Sequence, residues 1–251
     1  MQSTVRLLLV GGAGRMGQAI AKVAEADEHV QIVAQCGRGD ELGDIAMEAD
    51  VIIEVSHADA AERTCAAAVQ HGKPLVIGTT GHSKAQVQLI QETARSVAVL
   101  LAPNFSVGVN TLFWLTRQAA EFLGDGFDVE IVETHHRLKK DAPSGTAKRL
   151  AEILCDVREL SYESDVAHGR AGMVGERPAR QIGMHAVRAG DVVGEHTVTF
   201  AGAGERLELT HKASSRDTFA AGALRAARWI IGQQPGLYSM QDVLGLQRGA
   251  D

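Results

Sequence analysis

The amino-acid sequence predicts an α/β protein in which a doubly wound parallel sheet is followed by a region with an antiparallel or mixed sheet. Three observations carry the prediction. Apolar runs alternate with helix-periodic stretches up to residue 101, a glycine-rich turn sits directly between the first such run and the first such stretch, and three strand-like runs between 181 and 211 have no helix between them. At 251 residues the chain is long enough to bury a core without crosslinks, as one large domain or two modest ones.

Residues 5–10 form a run, apolar but for Arg6, suited to a strand covered on both faces. "GGAGRMG" follows at once, and Met16, Ile20, Val23 and Ala24 then recur at helical spacing, which places the glycines in a strand-to-helix turn. Gly12, Gly14 and Gly17 fit the G-x-G-x-x-G pattern of dinucleotide sites, with Gly11 as an extra. In that pattern the first glycine permits a tight turn, the second lets backbone approach a pyrophosphate, and the third lets the helix pack on the strand. The helix N-terminus offers its N–H groups to the phosphates. Strands follow at 30–35, 51–55, 75–77 and 97–101, with helices at 59–71 and 83–95. Ligands of such a sheet sit at the carboxyl ends of the strands, and those ends carry "SHAD", "GTTG" and "APNFS". After the second strand the chain reads Cys36-Gly37-Arg38-Gly39-Asp40. Arg38 stands where an arginine accommodates a 2′-phosphate and points to NADPH, while Asp40 remains open as a ribose ligand for NADH.

Beyond Asn104 a helix with Leu112, Leu115, Ala119 and Phe122 ends near Gly124-Asp125-Gly126, and 127–134 reads as a strand with Phe127, Val129 and Ile131 on one face. His135 and His136 leave its end. Neighbours on a strand face opposite ways, so both line one site only where the strand has given way to a loop. The segment "HHRLKKDAPSGT", 135–146, is strongly cationic in a chain of net charge -6. Pro143 disfavours helix in the residue before it, and Ser144 is suited to cap a helix running through Ala147, Leu150, Ala151 and Leu154. The N–H groups of Gly145 and Thr146 then face an anion, with Lys139 and Lys140 adding charge. This reads as a pocket for a small, multiply anionic molecule in which histidine and lysine move protons; the plain alternative is a solvated loop with structurally packed histidines.

Strands at 181–188, 195–200 and 205–211 complete the second sheet, with "AGAGE" as the turn between the last two. Val198, Phe200, Leu207 and Leu209 either cover its core side or meet another subunit. From Arg216 a helix with Phe219, Leu224, Trp229 and Ile230 packs back on the first domain. "GRAGMVGERPARQ" has no assigned role. The balance of 25 Lys+Arg against 31 Asp+Glu argues against nucleic acid as a partner. Cys36, Cys65 and Cys155 form no CxxC pair, which fits reduced thiols in a cytosol, and the histidines and carboxylates show no metal-ligand spacing. No stretch approaches the ~20 apolar residues of a membrane span, so the expectation is a soluble cytoplasmic protein.

Taken together, "GGAGRMG", "GTTG", "APNFSVGVN", "ETHHRLKKDAPSGTA", "AGDVVGEHTV" and "GERLELTHKASSR", in that order, resemble the 4-hydroxy-tetrahydrodipicolinate (dihydrodipicolinate) reductase family of bacterial lysine and diaminopimelate biosynthesis, over nearly the whole chain. The resemblance implies a Rossmann-like domain over 1–106 and 216–251, with an inserted α+β domain over 107–215 whose open mixed sheet binds substrate and builds a homotetramer. It implies that Gly11, Gly12, Ala13, Gly14, Arg15, Met16, Gly78, Thr79, Thr80, Ala102, Pro103, Asn104 and Phe105 line a nicotinamide dinucleotide. It implies His135 as the proton-transfer histidine, Lys139 as the proton donor, and His136, Ser144, Gly145 and Thr146 as ligands of a small dicarboxylate. Gly37 departs from the family, standing where many members carry an acidic ribose ligand, while Arg38 aligns with the phosphate-binding position; NADPH is favoured and NADH stays open. Two other readings are another Rossmann oxidoreductase acting on an amino acid or semialdehyde, and a non-catalytic dinucleotide sensor. The first lacks the "HHRLKKDAPSGT" arrangement, and intact His135 and Lys139 speak against the second.

Overall fold

A computed structural model describes residues 4–246. The chain divides into two compact units, one made of the segments up to Val107 and from Arg216 onward, the other of Gly108–Ser215. Strands β1 (Val5–Val10), β2 (Val30–Cys36), β3 (Val51–Glu54), β4 (Leu75–Ile77) and β5 (Ala98–Leu101) belong to the first. Strands β6 (Asp128–His135), β7 (Val166–His168), β8 (Ile182–Arg188), β9 (Gly194–Gly202) and β10 (Glu205–Ala213) belong to the second, and β11 (Gly236–Tyr238) returns to the first.

The first sheet is parallel, in the order β11-β5-β4-β3-β1-β2. Its central strands are covered on both faces, and the period of two sorts their side chains into separate layers. Leu7 and Leu9 join Ile53 and Leu100 under helices α1 (Arg15–Glu25) and, from the C-terminal segment, Ala223 and Ile230. Leu8 and Val10 join Ile52, Val99 and Ile90 on the opposite side, under α3 (Ala61–His71) and α4 (Lys84–Thr93), the short α2 (Gly43–Glu48) preceding them. This is the Rossmann-like arrangement that the alternation of strands and helices implies.

In the second unit the sheet runs β10-β9-β6-β8-β7, antiparallel from β10 to β6 and parallel from β6 to β7. It is therefore mixed. After α5 (Val107–Leu123), helix α6 (Gly145–Arg158) lays Leu150, Ala151 and Leu154 on one face of the sheet, against Val129, Ile131, Val198 and Phe200. Leu207 and Leu209 pair with Phe200 and Val198 on the edge strand, and Leu207 stays exposed. The "GRAGMVGERPARQ" loop lies over the other face, where Arg170 and Arg177 bind Glu130 at 2.9 and 3.1 Å. Burial raises the Glu130 carboxyl, but hydrogen bonds from Arg170, His185 and Arg177 outweigh it and hold the group at about 2. Gly183 makes the room: a Cβ there would stand 1.7 Å from Glu130 Oε2.

The short α7 (Tyr162–Asp165) leads into β7, and α8 (Asp217–Ile230) and α9 (Met240–Leu244) close the first unit around β11. None of the helices among the described residues is long and apolar enough to cross a membrane. In α8, Gly222 rests on backbone, since a Cβ would stand 1.9 Å from the Phe105 carbonyl oxygen. Alanine there gains about 1 kcal/mol of helix propensity, whereas forcing a methyl into a closed contact costs about 1–3 kcal/mol. Gly222→Ala is therefore expected to lower the urea unfolding midpoint, and a midpoint at or above that of the unsubstituted chain would refute this seating of α8.

Candidate active site

In the first unit the turn after β1 brings Gly11, Gly12, Ala13 and Gly14 into α1, whose first residues are Arg15 and Met16. Gly14 occupies the cap position without a capping side chain, which leaves no side chain between the helix N-terminus and a ligand. Gly11 has φ +96, and a Cβ there would stand 2.7 Å from the Val55 carbonyl. Gly12 abuts Gln35, Gly17 abuts the Gly11 carbonyl, and Gly78 abuts the Phe105 ring, with Cβ positions 2.2, 2.2 and 2.4 Å from their neighbours. The loops after β1, β3, β4 and β5 thus meet at the carboxyl end of the sheet.

Glu54, fully buried at the end of β3, fastens two of these loops. Its Oε1 accepts from the backbone N–H of Ser56 at 2.8 Å, from the Ser56 hydroxyl, and from Thr79 Oγ1 at 2.8 Å. Thr79 is buried, Thr80 and Pro103 are exposed, and Asn104 is half-buried, with Oδ1 accepting from the Ser106 N–H at 2.8 Å. Ala102 and Phe105 pack into the core beside α8. Arg38 is exposed in the turn after β2. Asp40 is exposed in the same turn, its Oδ2 accepting from the Gly37 N–H at 2.7 Å while Arg63 donates to the carbonyls of Gly37 and Asp40 at 2.7 Å. Arg63 and Glu54 went unnoticed in the sequence.

The second unit gathers its candidate residues at the end of β6. Alternation along the strand buries Val129 and Ile131, and the same face continues with Glu133 and His135. Glu133 is wholly shielded from solvent, yet polar groups surround it. His135 Nδ1 lies 2.6 Å from Oε2, Arg188 on β8 donates to both oxygens at 2.8 and 2.9 Å, and the Ser144 N–H donates to Oε1 at 3.0 Å. Burial raises this carboxyl, but the hydrogen bonds from His135 and Arg188 prevail and set it at about 2. An ionised carboxylate only accepts, so Nδ1 of His135 carries the proton of that hydrogen bond. Nε2 points away, toward Gly194, where a Cβ would come within 3.1 Å of it.

Ser144 caps α6 through its hydroxyl, which accepts from the Ala147 N–H at 3.2 Å and meets His196 Nε2 at 3.1 Å. His196 lies edge-on to His135, with ring centroids 5.2 Å apart. Burial, and then the neighbouring His135, lowers His196 to about 3, so it is neutral at ordinary pH. Gly145, exposed, and Thr146, half-buried, form the first turn. His135 remains in the strand and the chain turns at His136, whose carbonyl accepts from the Lys139 N–H at 3.1 Å. Lys139 pairs with Asp141 at 2.8 Å, and this hydrogen bond lowers the Asp141 carboxyl; Lys140 is exposed. The unit thus joins a histidine backed by a carboxylate to a capped helix start, a pairing able to transfer a proton next to a bound anion. Glu133, Arg188 and His196 were missed in the sequence, although the two-residue spacings Glu133 to His135 and His196 to Val198 place them on buried strand faces.

Family models of dihydrodipicolinate reductase match the chain twice, the N-terminal one over residues 5–105 and the C-terminal one over 108–244. The 4-hydroxy-tetrahydrodipicolinate reductase of Akkermansia muciniphila is 53% identical over 244 residues, covering 97% of this chain and 99% of the relative. That of Syntrophotalea carbinolica is 45% identical over 266 residues, covering 97% and 100%. The solved structure of dipicolinate-bound dihydrodipicolinate reductase from Paenisporosarcina sp. TG-14 has a TM-score of 0.78 at 22% identity over 96% of this chain and 99% of its own, a likeness of fold. With both halves matched and such identity along nearly its full length, the chain belongs to the dihydrodipicolinate reductase family.

Proposed function

We propose that the chain reduces 4-hydroxy-tetrahydrodipicolinate to tetrahydrodipicolinate with a pyridine nucleotide, the step of lysine and diaminopimelate biosynthesis for which its relatives are named. The chain is an oxidoreductase of that family. The observation that carries the assignment to particular residues is the buried His135–Glu133–Ser144 assembly at the start of α6.

The overall change removes the ring hydroxyl as water and adds a hydride to one carbon and a proton to its neighbour. The nucleotide supplies the hydride when bound, and the protein supplies orientation and charge. The first unit fits such a group: a glycine turn that a Cβ would block, an uncapped helix N-terminus of eleven residues, and loops fixed by Glu54. In the second unit, the amides of Gly145 and Thr146 with Ser144 and His136 hold one substrate carboxylate, and Lys139 exchanges Asp141 for the other. His135 and Lys139 handle the proton as a coupled pair. Holding a dicarboxylate at both ends presents the ring in a near-attack pose.

For the cofactor the reading is NADPH over NADH. Arg38 is exposed for a 2′-phosphate, and one oxygen of the Asp40 carboxylate already accepts from the Gly37 N–H. We infer a homotetramer built on the face of the second sheet opposite α6, where Val132 and Val187 are exposed beside the arginine-rich loop, and a reducing cytoplasm in which the buried Cys36, Cys65 and Cys155 stay free thiols. Neither nucleic acid nor membrane enters the reading.

Two outcomes are expected from absorbance assays of NADPH and NADH oxidation with enzymatically generated substrate. His135→Gln and Lys139→Ala should each lower kcat by ~100-fold or more, the scale of a general acid, and near-normal turnover in both would defeat the assignment. Arg38→Ala should shrink the NADPH preference in kcat/KM by about tenfold, the loss of one charge-assisted hydrogen bond, and an unchanged ratio would remove Arg38 from the site.

A further inference from the structure

Glu133 sits on no helix terminus and touches no solvent, and in the sequence only its two-residue spacing from His135 and its place at the head of "ETHHRLKKDAPSGTA" single it out. Its four hydrogen bonds come from three residues. One oxygen holds His135 Nδ1, the other holds the backbone N–H of Ser144, and Arg188 spans both. We propose that Glu133 is the positioning residue of the reaction: one carboxylate fixes the ring orientation and tautomer of His135 and, through Ser144, the placement of the helix start that holds the substrate. This rests on the reductase reading above, and it adds that proton donor and anion cradle are set by one group.

Several features support the coupling. Ser144 is committed at three points, its N–H to Glu133, its hydroxyl to the Ala147 N–H and to His196, so the first turn of α6 cannot shift without disturbing the carboxylate. Gly194 leaves space beside His135 Nε2, and the atoms nearest to a Cβ there belong to the His135 and His196 rings. The charged and titratable groups around the pair include Arg188 from β8, His196 from β9, His211 from β10, which acts on His196, and Lys139 and Asp141 from the loop after β6. His196 is neutral, and Lys139 faces Asp141. The charge that acts on His135 most directly is Glu133, and Arg188 is what tempers it.

This arrangement predicts opposite signs for two substitutions. The carboxylate favours imidazolium, so its removal in Glu133→Gln should move the alkaline limb of the kcat/KM pH profile, where the donor loses its proton, to lower pH by about one unit. Removal of the tempering cation in Arg188→Gln exposes His135 to the full carboxylate and should move the same limb to higher pH. A role in packing alone would lower activity in both without such opposed shifts. A third readout needs neither activity nor substitution: long-range ¹H–¹⁵N correlation spectra of the unsubstituted protein should show neutral His135 protonated on Nδ1. An Nε2–H tautomer overturns the proposal, as do limbs that stay fixed or move together. If the unsubstituted protein reduces no 4-hydroxy-tetrahydrodipicolinate, the functional reading falls instead, and the tautomer still decides the role of Glu133.

Discussion

A carboxylate shut away from water must find its hydrogen bonds inside the protein or shed its charge, and the second unit is organised around how Glu133 meets that demand. Four donors reach it from three elements: the strand it sits on, the neighbouring parallel strand, and the residue that opens α6. Charge-assisted bonds of this kind are about twice as strong as neutral ones. They also depend on direction, so the network fixes which nitrogen of His135 looks outward. The leucines of α6 hold the helix on the sheet, but the carboxylate decides where its first turn lies.

The first unit solves a related problem with a similar device. Glu54 ends a strand that is otherwise hydrocarbon, and a single oxygen gathers the loops after β3 and β4 through Ser56 and Thr79. Where several loops must present backbone to one ligand, each loop has its own freedom, and a shared buried acceptor removes it. Both units therefore place an acid at the last turn of a strand face whose earlier residues are apolar. The difference lies in the balance: Glu133 has a guanidinium on both oxygens, whereas Glu54 is met by hydroxyls and one amide on Oε1 alone.

Much of this was legible in the sequence, and for identifiable reasons. The alternation of 5–10, 30–35 and 51–55 with helical stretches reflects strands buried on both sides, a pattern that local composition carries well. The Ser144 cap was legible because Pro143 and Ser144 restrict the backbone locally. Less visible were β7, β11 and α9, three to five residues each, too short to display a period. Arg188 and Glu133 are 55 positions apart, and their pairing follows from the β6–β8 register, which no window of sequence contains. The same holds for Arg170 and Arg177 on Glu130: the loop looked like mere glycine and arginine until the sheet face beneath it was known. Asp40, read as an open ribose ligand, is exposed and gives its Oδ2 to the Gly37 N–H of its own turn, a bond that no pattern in the sequence announced.

The chain's division has a consequence for its synthesis. The second unit is continuous, and every residue of its core has been made by Phe200. The inner layer of the first unit, in contrast, draws Ala220, Ala223, Leu224, Ala226, Ala227 and Ile230 from α8, which is made after the whole of the second unit. On the ribosome the first five strands emerge with one flank sheltered by α3 and α4 and the other covered by α1 alone. The second unit therefore has its whole core in hand first, and the nucleotide domain waits, with Leu7 and Leu9 half covered by α1, for α8 to complete the layer.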